Sequence, residues 1–172
     1  MSTILEHIST PEEASKREGP HSRIVLSSRV RLARNVKNWP FPGYAKKPDR
    51  VEALKTIRPA VESLPQMQGS FSETMDNLTA LDKQILVERH LISREHAAKN
   101  AGSGLVLSKD EGLCVLINEE DHLRMQSLKP GLQLKEAWRS IDEFDSALEK
   151  KVEYAFNSEL GYLTACPTNL GT

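Results

Sequence analysis

Apolar residues at three- and four-residue intervals organise two stretches of this chain. Over residues 48–64, Val51, Leu54, Ile57, Ala60 and Val61 recur on one helical stripe, and Pro48 sits in the first turn, where a missing N–H is tolerated. Over residues 132–156 a longer stripe runs through Leu134, Ala137, Trp138, Ile141, Phe144, Leu148, Val152 and Ala155. It predicts the longest helix, with the whole stripe in the core. Shorter helices are expected at 77–90, around LDKQILVE, and after Ser93, a serine placed to cap Glu95 and Ala97-Ala98. Period-two alternation marks the strands. Ile24, Leu26 and Ser28 alternate with Val25, Ser27 and Arg29, which predicts a strand over 23–30 that finishes in a polar site. SGLVLS and GLCVLIN, separated by KDEG, predict an antiparallel hairpin. Residues 161–165 predict a strand that delivers Cys166-Pro167-Thr168-Asn169 into a loop, and WPFPG at 39–43 reads as a rigid aromatic loop. The first 20 residues are polar, with a short helix expected to open at Pro11-Glu12-Glu13 and to stop by Gly19-Pro20, and little core is expected from them. The resulting fold class is α+β, a partial antiparallel sheet packed with helices.

Composition narrows the class. The 172 residues carry 23 Lys or Arg against 24 Asp or Glu, a formal net charge of -1, which argues against a uniformly basic nucleic-acid-binding surface. With 38% hydrophobic and 27% charged residues the chain has the material for a folded core. No run approaches the 18 apolar residues of a membrane span, and the N-terminus lacks the basic start and apolar run of a secretion signal, so a cytoplasmic location is expected. Cys114 and Cys166 form no CxxC pair, which disfavours a disulfide framework or a zinc knuckle, and Cys114 sits among apolar neighbours as a core residue.

Three groups of residues carry candidate chemistry. In SSRVRLARN, Arg29 and Arg31 alternate onto one face of a continuing strand, and Arg34 rejoins them if the chain turns. Their planar, permanently charged forks suit phosphate oxygens, and surface ion pairing is the alternative. In Asn118-Glu119-Glu120-Asp121-His122-Leu123-Arg124, adjacent carboxylates can accept guanidinium donors, act as a general base, meet Mg²⁺, or form a solvated acidic turn. His122 reads as a structural or orienting group, and no metal site is assigned. Cys166 is either a small buried hydrophobe or a thiolate beside a cationic substrate; Asn169 orients the same loop; His90 either donates to phosphate or closes a helix.

At these residues the sequence resembles the ATP:guanido phosphotransferase family, which contains creatine kinases, arginine kinases and the bacterial protein-arginine kinases. The matching blocks are VLSSRVRLARN at 25–35, VLINEEDHLR at 115–124 and LGYLTACPTNLGT at 160–172. LARNVKNWPFP and HLIS at 90–93 are more similar to the protein-arginine kinases. The resemblance implies the guanido kinase, glutamine-synthetase-like fold, with residues 21–172 as a truncated catalytic domain behind the segment 1–20. It implies that Arg29, Arg31 and Arg124 hold ATP phosphates, that His90 lies near the nucleotide, and that Glu120 holds and deprotonates the guanidinium. Cys166 would sit beside the non-reacting guanidinium nitrogens, with Asn169 supporting that loop. Mg²⁺ would be held chiefly through ATP. The implied activity of the complete parent enzyme is ATP-dependent phosphorylation of arginine in proteins, with stress-response or protease-system partners. A small guanidino acceptor, or a noncatalytic regulatory or binding fragment, is the alternative. The family's chains continue beyond CPTNLGT with further phosphate-binding and specificity segments, so the isolated chain is expected to be weak or inactive.

Overall fold

The computed structural model describes residues 4–10 and 18–171. Five strands form one antiparallel sheet: β1 (Ser27–Arg34), β2 (Phe71–Thr74), β3 (Gly104–Leu107), β4 (Leu113–Ile117) and β5 (Leu123–Pro130), in the spatial order β1-β5-β4-β3-β2. Among the described residues four α-helices accompany it: α1 (Lys47–Glu62), α2 (Ala80–Glu88), α3 (Arg94–Ala97) and α4 (Leu134–Glu149). A two-stranded pair, β6 (Phe156–Asn157) and β7 (Gly161–Tyr162), precedes a 3-10 turn at Pro167–Asn169. The expected α+β class, with an antiparallel sheet packed against helices, is the architecture observed.

The alternation of side chains divides the sheet into two different faces. On one, Leu32, Val106, Val115, Ile117, Leu123 and Met125 pack against Ala53, Leu54, Ile57 and Val61 of α1 and Ile141, Phe144 and Leu148 of α4. Each such side chain contributes roughly 1.5–3 kcal/mol by leaving water. On the other face, Phe71, Leu105, Leu107, Cys114 and Leu116 meet Leu86, Leu91 and Ile92 around α2. This second core also takes in Ile4 and Ile8, so the N-terminal segment contributes more apolar packing than its polar composition predicts. The helix expected at Pro11-Glu12-Glu13 lies outside the described residues.

Several predicted boundaries move, for physical reasons. The first strand runs Ser27–Arg34 rather than 23–30, because its pairing with β5 begins at Ser27↔Pro130 and continues to Arg34↔Leu123. Ile24 and Leu26, which suggested the strand, are each 88% exposed ahead of it. Helix α4 ends at Glu149 instead of near 156, since the chain turns back there. Ala155 N–H donates to the Asn35 carbonyl at 2.7 Å, and Val36 bridges Tyr154. Val152 stays in the core although it has left the helix, so the sequence stripe overstates the helix. Leu134 and Trp138 are about half exposed at 55% and 51%, outside the seam formed by Ala137, Ile141, Phe144 and Leu148. Ser93 caps α3 as expected, accepting from the His96 N–H. The hairpin β3–β4 forms as predicted.

Candidate phosphate and guanidinium site

Directly opposed residues of an antiparallel pair share a face. Ala33↔Arg124, Arg31↔Gln126 and Arg29↔Leu128 on β1 and β5 therefore put Arg29, Arg31, Arg124 and Gln126 together, on the face opposite the α1–α4 core. Toward β4, β3 and β2 that same face is covered by α2 and its neighbours, whereas Arg29 and Arg31 on β1 are exposed and Arg124 on β5 is partly so. Arg29, Arg31, His90, Glu119, Arg124 and Gln126 line one cleft of about 110 Å³. Arg31 and Arg124 also line an adjoining cleft of about 190 Å³, whose far wall is Asn169. Whole small-molecule pockets run to roughly 300–1,000 Å³, so either cleft suits phosphate groups better than an entire nucleotide.

Electrostatics show how closely the cations approach. Partial burial, and then the neighbouring charges of Arg124 and Arg29, pull the Arg31 guanidinium below its ordinary pKa, with Glu119 acting in the opposite sense. Glu119 is buried, accepts a hydrogen bond from Ser93 Oγ and stands 3.4 Å from Arg124 Nε. It thus braces one arginine while leaving the cluster net positive, a ready receptor for a polyanion. His90 takes a left-handed backbone, φ 59°, immediately beyond α2, and its carbonyl accepts from Gln126 Nε2 at 3.3 Å. Gln126 also donates to the Leu91 carbonyl at 3.1 Å, so β5 fixes the turn that carries His90 into the cleft.

The carboxylate turn between β4 and β5 splits its acids by environment. Glu120 is exposed, whereas Asp121 is buried and its Oδ1 accepts from Asn35 Nδ2 and the Ala165 N–H, both at 2.6 Å. His122 is structural: its Nδ1 accepts from the Val36 N–H at 3.2 Å, and its ring packs edge-on against Phe41. Burial pushes its pKa down to about 4, partly offset by a hydrogen bond to the Pro40 backbone, so the imidazole is neutral near pH 7. Cys166 is half-buried at the start of the 3-10 turn, with its Sγ 2.9 Å from Thr168 Oγ1. Two glycines let this loop fold back: Gly161 has φ 77°, and a Cβ there would lie 2.8 Å from Gly171 Cα. Cys114, by contrast, is buried in the second core, where desolvation raises its thiol pKa well above the ordinary range.

Arg29, Arg31, His90 and Arg124 are thus gathered in one cleft, Asn169 stands at its extension, and Glu120 and Cys166 each adjoin one end of the Asp121–Ala165 hydrogen bond. Arg34 does not join them. The strand continues through it without a turn, so it lies on the opposite face, where Nε and Nη2 donate to Asp145 Oδ2 at 3.1 and 2.6 Å and its guanidinium stacks 3.8 Å above the Tyr162 ring centroid. Asn35, Ser93 in its bond to Glu119, and Gln126 carry the architecture of the site but have no separate motif; only their positions beside charged blocks mark them in the sequence. Among the described residues no three His, Cys, Asp or Glu side chains converge as a metal cage.

The fold is thus an α+β antiparallel sheet that carries an arginine cluster beside a carboxylate turn. Residues 52–172 match the model of the ATP:guanido phosphotransferase C-terminal catalytic domain, and the chain belongs to that family. It is 46% identical over 158 residues to a protein-arginine kinase of Symbiobacterium thermophilum, covering 90% of this chain and 44% of that protein. Identity is 43% over 175 residues with a protein-arginine kinase of Moorella thermoacetica, covering 100% of this chain and 49% of the relative. The chain therefore spans less than half the length of these curated relatives. Among solved structures, the duplicated taurocyamine kinase of Schistosoma mansoni with bound transition-state-analogue components superposes with a TM-score of 0.82 at 28% identity, over 98% of this chain and 24% of that one. A lombricine kinase shares the fold, with a TM-score of 0.75 at 24% identity over 96% of this chain and 50% of its own.

Proposed function

We propose that this chain supplies the arginine cradle and the acceptor-side carboxylate for ATP-dependent phosphoryl transfer to a guanidino nitrogen. The observation that carries the reading is the convergence of Arg29, Arg31 and Arg124 on one face of the sheet, with Glu120 midway along the turn that leads into β5 and Arg124. In this reading Arg29, Arg31 and Arg124 bind the phosphates and His90 lies near the nucleotide. Glu120 takes a proton from the guanidinium, whose nitrogen then forms the N–P bond as the bond from the γ-phosphorus to the β–γ bridging oxygen breaks and ADP leaves with the electron pair. Cys166 sits beside the non-reacting nitrogens, and Asn169 supports that loop. Mg²⁺ would arrive on the ATP oxygens and neutralise phosphate charge.

Two acceptor readings rest on separate observations. The match to taurocyamine kinase over nearly the whole chain supports a small guanidino compound. The higher identity to protein-arginine kinases supports arginine on a protein surface, the acceptor expected from the sequence. No helix among the described residues is long and apolar enough to cross a membrane. The experiment offers ATP with free arginine, taurocyamine or an arginine-rich protein to the chain and to Glu120→Gln, and measures acid-labile phosphoguanidine. Product formed by the chain and lost in Glu120→Gln supports transfer, and the preferred acceptor selects the substrate class. Equal background in both proteins overturns catalysis by this chain and leaves the noncatalytic binding reading.

A further inference from the structure

Asn35 follows the last residue of β1 and is 1% exposed. Its side-chain amide faces groups from two other parts of the chain. Nδ2 donates to Asp121 Oδ1 at 2.6 Å and to the Leu163 carbonyl at 3.1 Å, while Oδ1 accepts from the His122 N–H at 2.9 Å. Only one orientation of the amide is consistent with these neighbours: turned over, its oxygen would face a carboxylate and a carbonyl, and its NH₂ would face an N–H. The main chain of Asn35 is anchored as well, its carbonyl accepting from the Ala155 N–H at 2.7 Å. Asp121 Oδ1 then reaches the Ala165 N–H at 2.6 Å. One buried amide therefore connects the end of β1, the turn bearing Glu120 and the strand leading to Cys166.

We propose that Asn35 is a positioning residue that fixes the Cys166 loop relative to Glu120, so that a guanidino acceptor meets both at once. The proposal rests on the reading of Glu120 and Cys166 as acceptor-side groups. A guanidinium is planar and presents nitrogens in three directions, so groups that grip it from two sides must keep a set separation. A displacement of about 1 Å in such a constellation lowers turnover on the order of a hundredfold. Within the loop itself, Thr164 Oγ1 and the Asn169 N–H both donate to the Cys166 carbonyl.

The two cysteines supply a test independent of turnover. Cys166 is half-buried and Cys114 is buried, so alkylation by iodoacetamide, followed residue by residue in the full chain, reads loop opening at the first and global unfolding at the second. Asn35→Ala removes the amide and is expected to raise the Cys166 rate about tenfold, the equivalent of one to two lost hydrogen bonds, with Cys114 still protected. Titration with ATP should change less than the Cys166 rate, because Asn35 ties the Cys166 loop to Asp121 whereas Arg29, Arg31 and Arg124 are placed by the β1–β5 register. An unchanged Cys166 rate, or a loss of ATP affinity equal to the change at Cys166, overturns the proposal. If Cys114 becomes reactive, the variant has unfolded, and amide exchange in the unsubstituted chain decides: protection of Ala165 N–H alongside Ala155 N–H supports the tie, and free exchange at Ala165 overturns it. Absence of guanidine phosphorylation by the unsubstituted chain refutes the functional reading without altering either cysteine rate, so the two failures are distinct.

Discussion

Strands β1 and β5 have two opposite characters, one on each side of the sheet. Toward α1 and α4 they present Leu32, Leu123 and Met125, buried in a continuous apolar core. Toward the other side they present Arg29, Arg31 and Arg124, where partial burial and then the like charges of Arg124 and Arg29 lower the pKa of Arg31. One face holds the fold, and the other carries the proposed phosphate contacts. Burial on the first face offsets the conformational entropy of folding, while repulsion on the second is offset in part by Glu119 and would be relieved further by a bound anion. Since neighbouring residues of one strand point to opposite faces, a single step along β1 crosses from one role to the other.

Arg34 tests the boundary between these roles most severely, because it is an arginine on the apolar side. Arg34→Ala leaves Asp145 buried without its cation and should cost about 3–5 kcal/mol in denaturant unfolding. Burial already raises the Asp145 pKa despite Arg34. The loss should therefore shrink as pH falls and the carboxyl takes up a proton. A deficit that grows on acidification would show that the ion pair is not its source.

The neighbouring pair Leu32 and Arg31 gives the sharper contrast. Leu32→Ala should lower unfolding stability by about 2–5 kcal/mol with ATP affinity retained in the folded fraction. Arg31→Ala should leave stability unchanged or slightly higher, since it removes a crowded charge, and should weaken ATP binding roughly tenfold or more. Calorimetric titration and unfolding on the same two variants check both outcomes. Equal stability losses would erase the distinction between the faces.

His122 sets a smaller, pH-dependent effect at the junction of the two. Its folded pKa, about 4, lies below the ordinary value of 6.5, so the unfolded chain binds the proton more readily. Its contribution is fully present above pH 6.5 and is lost as pH falls toward 4, to an extent on the order of 2–3 kcal/mol. Protonation of Nδ1 would remove the acceptor used by the Val36 N–H. His122→Gln should flatten the stability profile between pH 6.5 and 4; an unchanged slope would assign it to other groups. Smallest of all, Lys37→Ala should change stability by less than about 1 kcal/mol, because the Lys37–Glu153 pair is solvent-exposed.

Much of this molecule was legible in local pattern. The periodicity of 48–64 located α1, GLCVLIN and SGLVLS located the central hairpin, and Ser93 was readable as a cap because it acts on a backbone N–H three residues away. The charged blocks at 29–34 and 119–124 contain the arginines and Glu119 that the fold gathers into one cleft, with Arg34 left outside it. β5 was harder to see, since Leu123, Met125 and Ser127 alternate with Arg124, Gln126 and Leu128, and a polar half-strand resembles a loop until its partners are known.

What the sequence determined by itself was the set of residue types and their local periods: which segments bury a stripe, which arginines alternate, and which blocks identify the family. Tertiary structure alone decided how those pieces face one another. The β1–β5 register joined Arg124 to Arg29 and Arg31 across almost a hundred positions of chain and sent Arg34 to the opposite side. Folding back after α4 brought Ala165 to Asp121 and made Asn35 the connection between them. Side-chain alternation follows from the covalent geometry of a strand, but register and long-range hydrogen bonds depend on cores formed by residues far apart in the chain.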